Sequence, residues 1–320
     1  MKLQQLRYLH EVARRGLNVS TAAEALFTSQ PGISRQIRLL EDELGVEIFV
    51  RNGKRVTDVT EPGRIILKMA ERILRETENL RQVGREFSDQ ASGSLSIATT
   101  HTQARYALPR AIRAFIQRYP QVRLSLHQGN PTQITQMVLS GEADIAIATE
   151  AIELHKELVT LPCYQWNRCV VTPPDHPLLD EPSLTLEGIA PYPLITYDFA
   201  FAGRSQINKA FQARGLEPTV VLTALDSDVI KTYVELGLGV GIMAKMAFDP
   251  ERDRNLRARD ASHLFDHSVT RIGLRRGTYL RGYEYALIEL FAPHLTREVV
   301  DAAMNAKEQA GMGSCLDISS

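Results

Sequence analysis

Gln30, Ser34, Arg35 and Arg38 sit within TSQPGISRQIRLLEDELG, and all four side chains donate hydrogen bonds to flat, polar or anionic partners. A glutamine can pair with the edge of adenine, and an arginine can read guanine or grip a phosphate. Ile33, Ile37, Leu40 and Leu44 recur at steps of four, three and four, so an apolar stripe lies opposite those donors on one helix. Ser29 is a good N-cap, and Pro31 falls in the first turn, where a missing backbone donor costs little.

A second group of donors is Ala98-Thr99-Thr100-His101-Thr102-Gln103. It lies where a strand ends and a helix begins, so free backbone N–H groups and the positive helix terminus collect an anion there. Donors without Lys or Arg suit a small dianion such as sulfate, or a carboxylate. The same residues could also form a self-satisfied helix cap.

Other chemistry is excluded. His101, His127 and His176 have no metal-ligand spacing, and no G-x-S-x-G motif is present, so neither a metal nor an enzyme activity is expected. Gly237-Leu238-Gly239-Val240-Gly241 follows a helical pattern and precedes a strand, the reverse of a dinucleotide fingerprint, and reads as a tight turn. Trp166 is either a cleft-lining or a buried aromatic.

The elements that must hold the first donors follow from periodicity. Leu3, Leu6, Leu9 and Val12 or Ala13 mark a first helix, and Ala22, Ala23 and Leu26 a short second one. With the Ser29 helix they form a helix-turn-helix on a three-helix core, a geometry that also occurs in hairpins that never touch DNA. Ile48 to Val50 and Arg55 to Thr57, joined through Asn52-Gly53, read as a hairpin on an Asn-Gly turn. Arg51, Lys54 and Arg55 at its tip would grip a nucleic-acid backbone.

Thr60, Glu61 and Pro62 start a long helix reaching about Ser88, with Ile66, Met69, Ile73, Leu80, Val83 and Phe87 on a seam that Glu76 interrupts. That seam pairs with a second copy or packs on the chain's own body. Domain limits follow: 1–59 for the reading head, 60–90 for the linker helix, 91–304 for the body and 305–320 for a polar tail. The body alternates strands and helices, first as a parallel sheet (LSIATT, VRLSLHQG, DIAIAT) and then in a second lobe. A ligand then sits at the carboxyl ends of strands, between lobes.

With 320 residues, 44% hydrophobic, there is room for two or three cores. The formal net charge of -1 shows no global basic field, and residues 1–64 hold ten Lys or Arg against eight Asp or Glu, so any DNA chemistry is local. No secretory leader and no membrane-length apolar run is found, so a cytoplasmic protein is expected, and Cys163, Cys169 and Cys315 are read as reduced thiols.

The winged helix, linker helix and two-lobed body resemble a LysR-type transcriptional regulator over essentially the whole chain. MKLQQLRY, ATTHTQARYALP, ADIAIATE, LPCYQWNR, DSDVIKTYVELGLGVGIMAKMA and FAPHLTREVVD are similar to the cysteine-regulon activator subgroup. The resemblance implies an α/β fold with a periplasmic-binding-protein-like effector domain, assembly as a dimer of dimers, binding to double-stranded promoter DNA, and recruitment of RNA polymerase. It also implies N-acetylserine or O-acetylserine as coinducer, with sulfate or thiosulfate competing, in a site matching Thr100, Thr102, Gln103 and Thr149. The subgroup usually carries threonine where this chain has Ala202. A lost hydroxyl on a charged ligand costs about 1.5 to 3 kcal/mol, so weaker sulfate binding is expected. A paralogous regulator of sulfonate-utilisation genes, a solute-binding protein and a small anion-converting enzyme are the rival readings.

Overall fold

The computed structural model describes residues 1–53, 55–88, 92–149, 152, 155–198, 202–306 and 316–317, without the side chains of 85–88, 202–205 and 316–317. The chain divides into two compact units, Met1–Ser88 and Asp89–Ser320.

In the first unit, α1 (Leu3–Arg14), α2 (Val19–Ala25) and α3 (Gln30–Leu44) surround Leu6, Leu9, Val12, Ala22, Ala23, Ile33, Ile37 and Leu40. Asn18 caps α2 by accepting from the amides of Ser20 and Thr21, and the Ser29 hydroxyl caps α3 by accepting from Gly32. Leu44, read as the end of the α3 stripe, is 41% exposed. Gly45 takes a left-handed conformation and closes the helix there, and the buried residues nearest that end are Leu40 and Glu41.

The turn between α2 and α3 is strained. Phe27 has φ +50 and is 98% exposed, so its backbone occupies a region that favours glycine while its ring packs on nothing. Phe27→Gly should raise the stability of this unit by about 1 kcal/mol in chemical denaturation, since left-handed backbone costs an L-residue that much. A loss of stability would show that the ring has a partner in the folded chain.

β1 (Phe49–Asn52) and β2 (Arg55–Val59) pair antiparallel, with a register shift between Val50 and Arg51. That irregularity moves the turn one residue along. Asn52 is the last residue of β1, opposite Arg55, and Gly53, with φ +64, begins the loop in place of the expected Asn52-Gly53 pair. Lys54 lies outside the described residues.

α4 (Glu61–Ser88) begins where Thr60 Oγ1 donates to Glu47 O at 2.6 Å and accepts from Gly63 N at 3.0 Å. A Cβ on Gly63 would stand 2.1 Å from Ile48 O, so only glycine lets the helix backbone meet the root of the hairpin. Ala70 is buried, and Ile66, Leu67 and Leu74 pack on the core, whereas Ile65, Met69, Ile73 and Leu80 remain between 37% and 74% exposed.

The second unit holds two sheets. The first lobe begins with β3 (Gly93–Thr99), α5 (Leu108–Arg118), β4 (Val122–Gln128), α6 (Pro131–Ser140) and β5 (Ile145–Ala148), and these three strands are parallel, as read from the alternation. β6 (Leu158–Trp166) leads to β7 (Arg168–Thr172), the first strand of the second lobe. There follow α7 (Leu186–Ile189), β8 (Leu194–Tyr197), α8 (Ala202–Ala213), β9 (Val220–Ala224), α9 (Ser227–Glu235), β10 (Val240–Ala244) and β11 (Arg257–Asp260). The chain returns through β12 (Ser268–Arg275), α10 (Gly282–Phe291), α11 (Arg297–Asn305) and β13 (Leu316–Asp317).

The sheet orders are β13-β6-β12-β5-β3-β4 and β11-β7-β10-β8-β9. Neither is wholly parallel. β12 runs antiparallel to both β5 and β6, and β7 antiparallel to β10, because two strands carry the chain between lobes in opposite directions. Buried side chains cover both faces of each sheet, with Leu95, Phe115 and Leu287 on one side of the first and Ile134, Val138 and Ala146 on the other.

Gly239 lies in the tight turn between α9 and β10, where a Cβ would stand 2.4 Å from Pro193 O. The Gly-rich stretch is therefore a close helix-to-strand connection. Among the described residues, no helix is long and apolar enough to cross a membrane.

Candidate functional site

The reading head exposes Ser29 at the cap of α3 and Arg35 and Arg38 along it, with Gln30 and Ser34 half-buried and joined by a 3.3 Å hydrogen bond. Gln30 and Arg55 line one concavity of about 440 Å³ with Leu17, Asn18 and Ser20. The amino end of α2, which the sequence reading overlooked, thus faces the same hollow as the hairpin. Such a hollow, polar and basic at its rim, suits a sugar-phosphate strand.

Arg51 stands apart from the other basic residues. Its guanidinium is bound to Glu41 at 2.6 and 3.2 Å, and Glu41, 6% exposed, also accepts the amides of Ile48 at 2.8 Å and Phe49 at 3.2 Å. The carboxylate has four donors. The pair ties α3 to the root of the hairpin, which gives Arg51 a structural partner inside the unit.

In the second unit, Thr100 follows β3 and Thr149 follows β5, and these neighbouring parallel strands bring both residues to the carboxyl edge of the sheet. Thr99 Oγ1 donates to Ile147 O at 2.8 Å, locking the two strand ends together. Thr100 is buried, while Thr102 and Thr149 are half-buried. The Gln103 side chain is 1% exposed and engaged, with its amide nitrogen 3.0 Å from Thr270 Oγ1 and its oxygen accepting the Tyr164 hydroxyl. Trp166 Nε1 donates to the same Thr270 hydroxyl at 3.1 Å, so Gln103 and Trp166 belong to one buried network. Burial pushes the Tyr164 phenol up, which keeps it a neutral donor. Ala202 opens α8 at the carboxyl end of β8, and its side chain lies outside the described residues.

The turn Gln103–Ala107 is a π-helical turn, and side chains around it reach the other lobe. Thr102 Oγ1 lies 3.5 Å from Ser227 Oγ, itself 2.7 Å from the Tyr197 hydroxyl, which accepts the amide of Ala244. Arg105 Nε stands 2.9 Å from Asp228 Oδ2, and Tyr106 donates to Asp228 Oδ1 at 2.7 Å. Burial alone would raise the Asp228 carboxyl, but Tyr106, Lys231 and Arg105 outweigh it and hold it below the ordinary range. The stability this contributes is present above about pH 4 and lost as pH falls through the depressed value.

His101, which has no metal-ligand spacing in sequence, faces Asp226 and Asp228 at 4.0 and 3.7 Å. These three could offer ligand atoms to a cation, but Arg105 and Lys231 already neutralise Asp228. Cys163 and Cys169 are buried and in no disulfide among the described residues, and burial, followed by the charge of Asp260, pushes Cys169 up to about 12. It is a poor nucleophile.

Residues 3–64 match the family model for the bacterial regulatory helix-turn-helix protein, lysR family, and residues 88–296 match that for the LysR substrate binding domain. The HTH-type transcriptional regulator CysB of Burkholderia cenocepacia is 57% identical over 310 residues, covering 97% of this chain and 99% of its own. SsuR, a regulator of the same organism, is 57% identical over 295 residues, covering 92% and 96%. The crystallised cofactor-binding domain of the Cbl transcriptional regulator superposes with a TM-score of 0.65 at 46% identity, over 67% of this chain and 95% of that one. A helix-turn-helix head with a free polar face, a two-lobed body and matches across nearly the whole length establish that this chain belongs to the LysR family of DNA-binding transcriptional regulators, in the neighbourhood of CysB, SsuR and Cbl.

Proposed function

We propose that this regulator acts in the cytoplasm at promoters of sulfate-assimilation and cysteine-biosynthesis genes, mainly as an activator. It answers to N-acetylserine or O-acetylserine, with sulfate or thiosulfate competing for the same cleft. The observation that carries this reading is the set of neutral hydroxyl donors, Thr100, Thr102 and Thr149, gathered at adjoining strand ends with the Gln103 network beneath them. Neutral donors at strand and helix ends suit a small anion that must be bound and released.

On the DNA side, Ser29, Gln30, Ser34, Arg35 and Arg38 enter the major groove, and Lys54 and Arg55 meet the backbone. The exposed face of Ile65, Met69, Ile73 and Leu80 on α4 joins a second copy, and two such dimers form the assembly that recruits RNA polymerase. Effector binding shifts the population of cleft geometries and re-spaces the paired heads.

A second reading has its own support. SsuR is as similar to this chain as CysB is, and Ala202 removes a hydroxyl expected in the cysteine-regulon subgroup. The chain would then control sulfonate-utilisation genes in answer to another sulfur metabolite.

One experiment separates the two. Binding of the purified protein to a fluorescent cysteine-biosynthesis promoter fragment is measured across salt, with and without N-acetylserine and sulfate. Specific, salt-dependent binding that N-acetylserine alters supports the first reading, whereas binding indifferent to N-acetylserine supports the second. Ala202→Thr should tighten sulfate binding roughly tenfold to a hundredfold in calorimetry, and no gain would contradict the role given to that position.

A further inference from the structure

Two functions share the turn that follows β3. Thr100, Thr102 and Gln103 occupy its start, while Arg105 and Tyr106, two residues further on, grip the opposite lobe through Asp228. The π-helical bond pattern fits an extra residue into this turn, which lets both sets of side chains leave it in useful directions.

On the other lobe, Asp228 is in the first turn of α9, next to Ser227, which lies 3.5 Å from Thr102. Behind Asp228 stands Lys231, 9% exposed, with its ammonium 3.1 Å from the Tyr106 hydroxyl, 3.3 Å from Asp228, 3.0 Å from Asp253 and 3.0 Å from Ala247 O. Lys231 is held by Asp253 and Ala247 O of its own lobe and also meets Tyr106 of the other, while Asp228 is the carboxylate that takes both Arg105 and Tyr106 across the cleft. The Arg105 side chain is 52% exposed, although the Asp228 Oδ2 that it meets is itself buried. A pair whose cation already stands in water opens at a lower cost than one that is buried on both sides.

We propose that Asp228 is the latch of the inter-lobe cleft, a positioning residue that holds the lobes closed through Arg105 and Tyr106 and so sets how tightly the threonine site keeps its effector. This rests on the reading that the threonines bind a small anion. Closure brings Ser227 and Asp228 up to the turn that carries Thr102, so an anion on the turn and the latch favour the same closed arrangement. Opening the latch lowers the closed fraction and weakens binding by that fraction without removing a ligand contact.

The test uses the full-length protein and two variants, Asp228→Asn and the surface change Arg105→Ala. Sulfate affinity is measured by calorimetry, and hydrogen exchange of residues 101–107 and 226–232 is followed in effector-free protein. Asp228→Asn is expected to weaken sulfate binding about tenfold, and Arg105→Ala about threefold, as the closed fraction falls. Both variants should speed exchange in those two segments and leave β3, β5 and β10 unchanged.

Unchanged exchange in both segments, or faster exchange spread evenly over the whole second lobe, overturns the latch. So does undiminished sulfate affinity in variants whose wild-type parent binds sulfate. If the parent binds neither sulfate nor N-acetylserine, the effector reading fails and the exchange comparison alone decides the latch. Should Asp228→Asn not fold, Arg105→Ala carries the same comparison.

Discussion

Glu41→Ala is expected to destabilise the reading head by about 3 kcal/mol and to abolish operator binding at temperatures where the parent binds. The carboxylate accepts two backbone amides and two guanidinium bonds at 6% exposure, so its removal strands Ile48 N–H and Phe49 N–H inside the unit and frees Arg51. In a unit of this size, that loss lowers the midpoint of thermal unfolding by roughly 15 °C, readable by circular dichroism. Glu41→Gln keeps an acceptor and should lose about half as much. The companion variant Arg51→Ala separates structure from DNA contact. A destabilised head with an unchanged salt slope fits the pairing with Glu41, and a stable head with a shallower slope would assign Arg51 to phosphate.

Arg168→Leu is the second large effect, expected at about 3 kcal/mol on the two-lobed unit, or a midpoint lowered by roughly 10 °C. Arg168 has no exposed surface, yet its guanidinium donates to Asp266 O and to Ser268 Oγ, both at 2.8 Å, and lies 5.4 Å from the Trp166 ring centre. Those partners flank the return crossing, while Arg168 itself begins β7 on the outward crossing. One side chain therefore staples both connections between lobes. Leucine fills part of the volume but leaves a carbonyl and a hydroxyl without their charged donor. Beyond the loss of stability, the variant should bind DNA normally below its melting point and respond less to effector. Full effector response would show that the staple is not needed for communication.

The reading head was legible because its signals are local. The steps between Ile33, Ile37 and Leu40, the Ser29 cap and Pro31 all act within one helix, and the helix forms where they say it should. Leu44 broke the pattern because Gly45 ends the helix beside it, a consequence of the cap rather than of periodicity. Glu41 was hidden among several acidic neighbours, and its partner Arg51 lies beyond a turn and a strand irregularity, so nothing local marks the pair. The body was legible in its alternation, and the three strands read as parallel are parallel. The antiparallel place of β12 was not, since its partner β5 lies more than a hundred residues earlier. Distance also concealed Asp228. Its spacing to Lys231 is a visible helical pair, but Arg105 and Tyr106 approach from the other lobe, and no periodicity predicts that meeting. Arg168 carried no signal at all, because a lone arginine at a strand start reads as a surface residue.

The missing side chain at Gly63 has a mechanical consequence. With its backbone set against Ile48 and its first turn fixed by Thr60, α4 cannot pivot on the head, and head and helix move as one rigid arm. The helix has 28 residues, so the arm is about 42 Å long, and a swing of about 10° at one end carries the other through about 7 Å, roughly two base-pair steps. In the proposed dimer, a small angular adjustment between two such arms would become a change of register on the double helix. Any side chain at position 63 would turn that fixed lever into a loose joint.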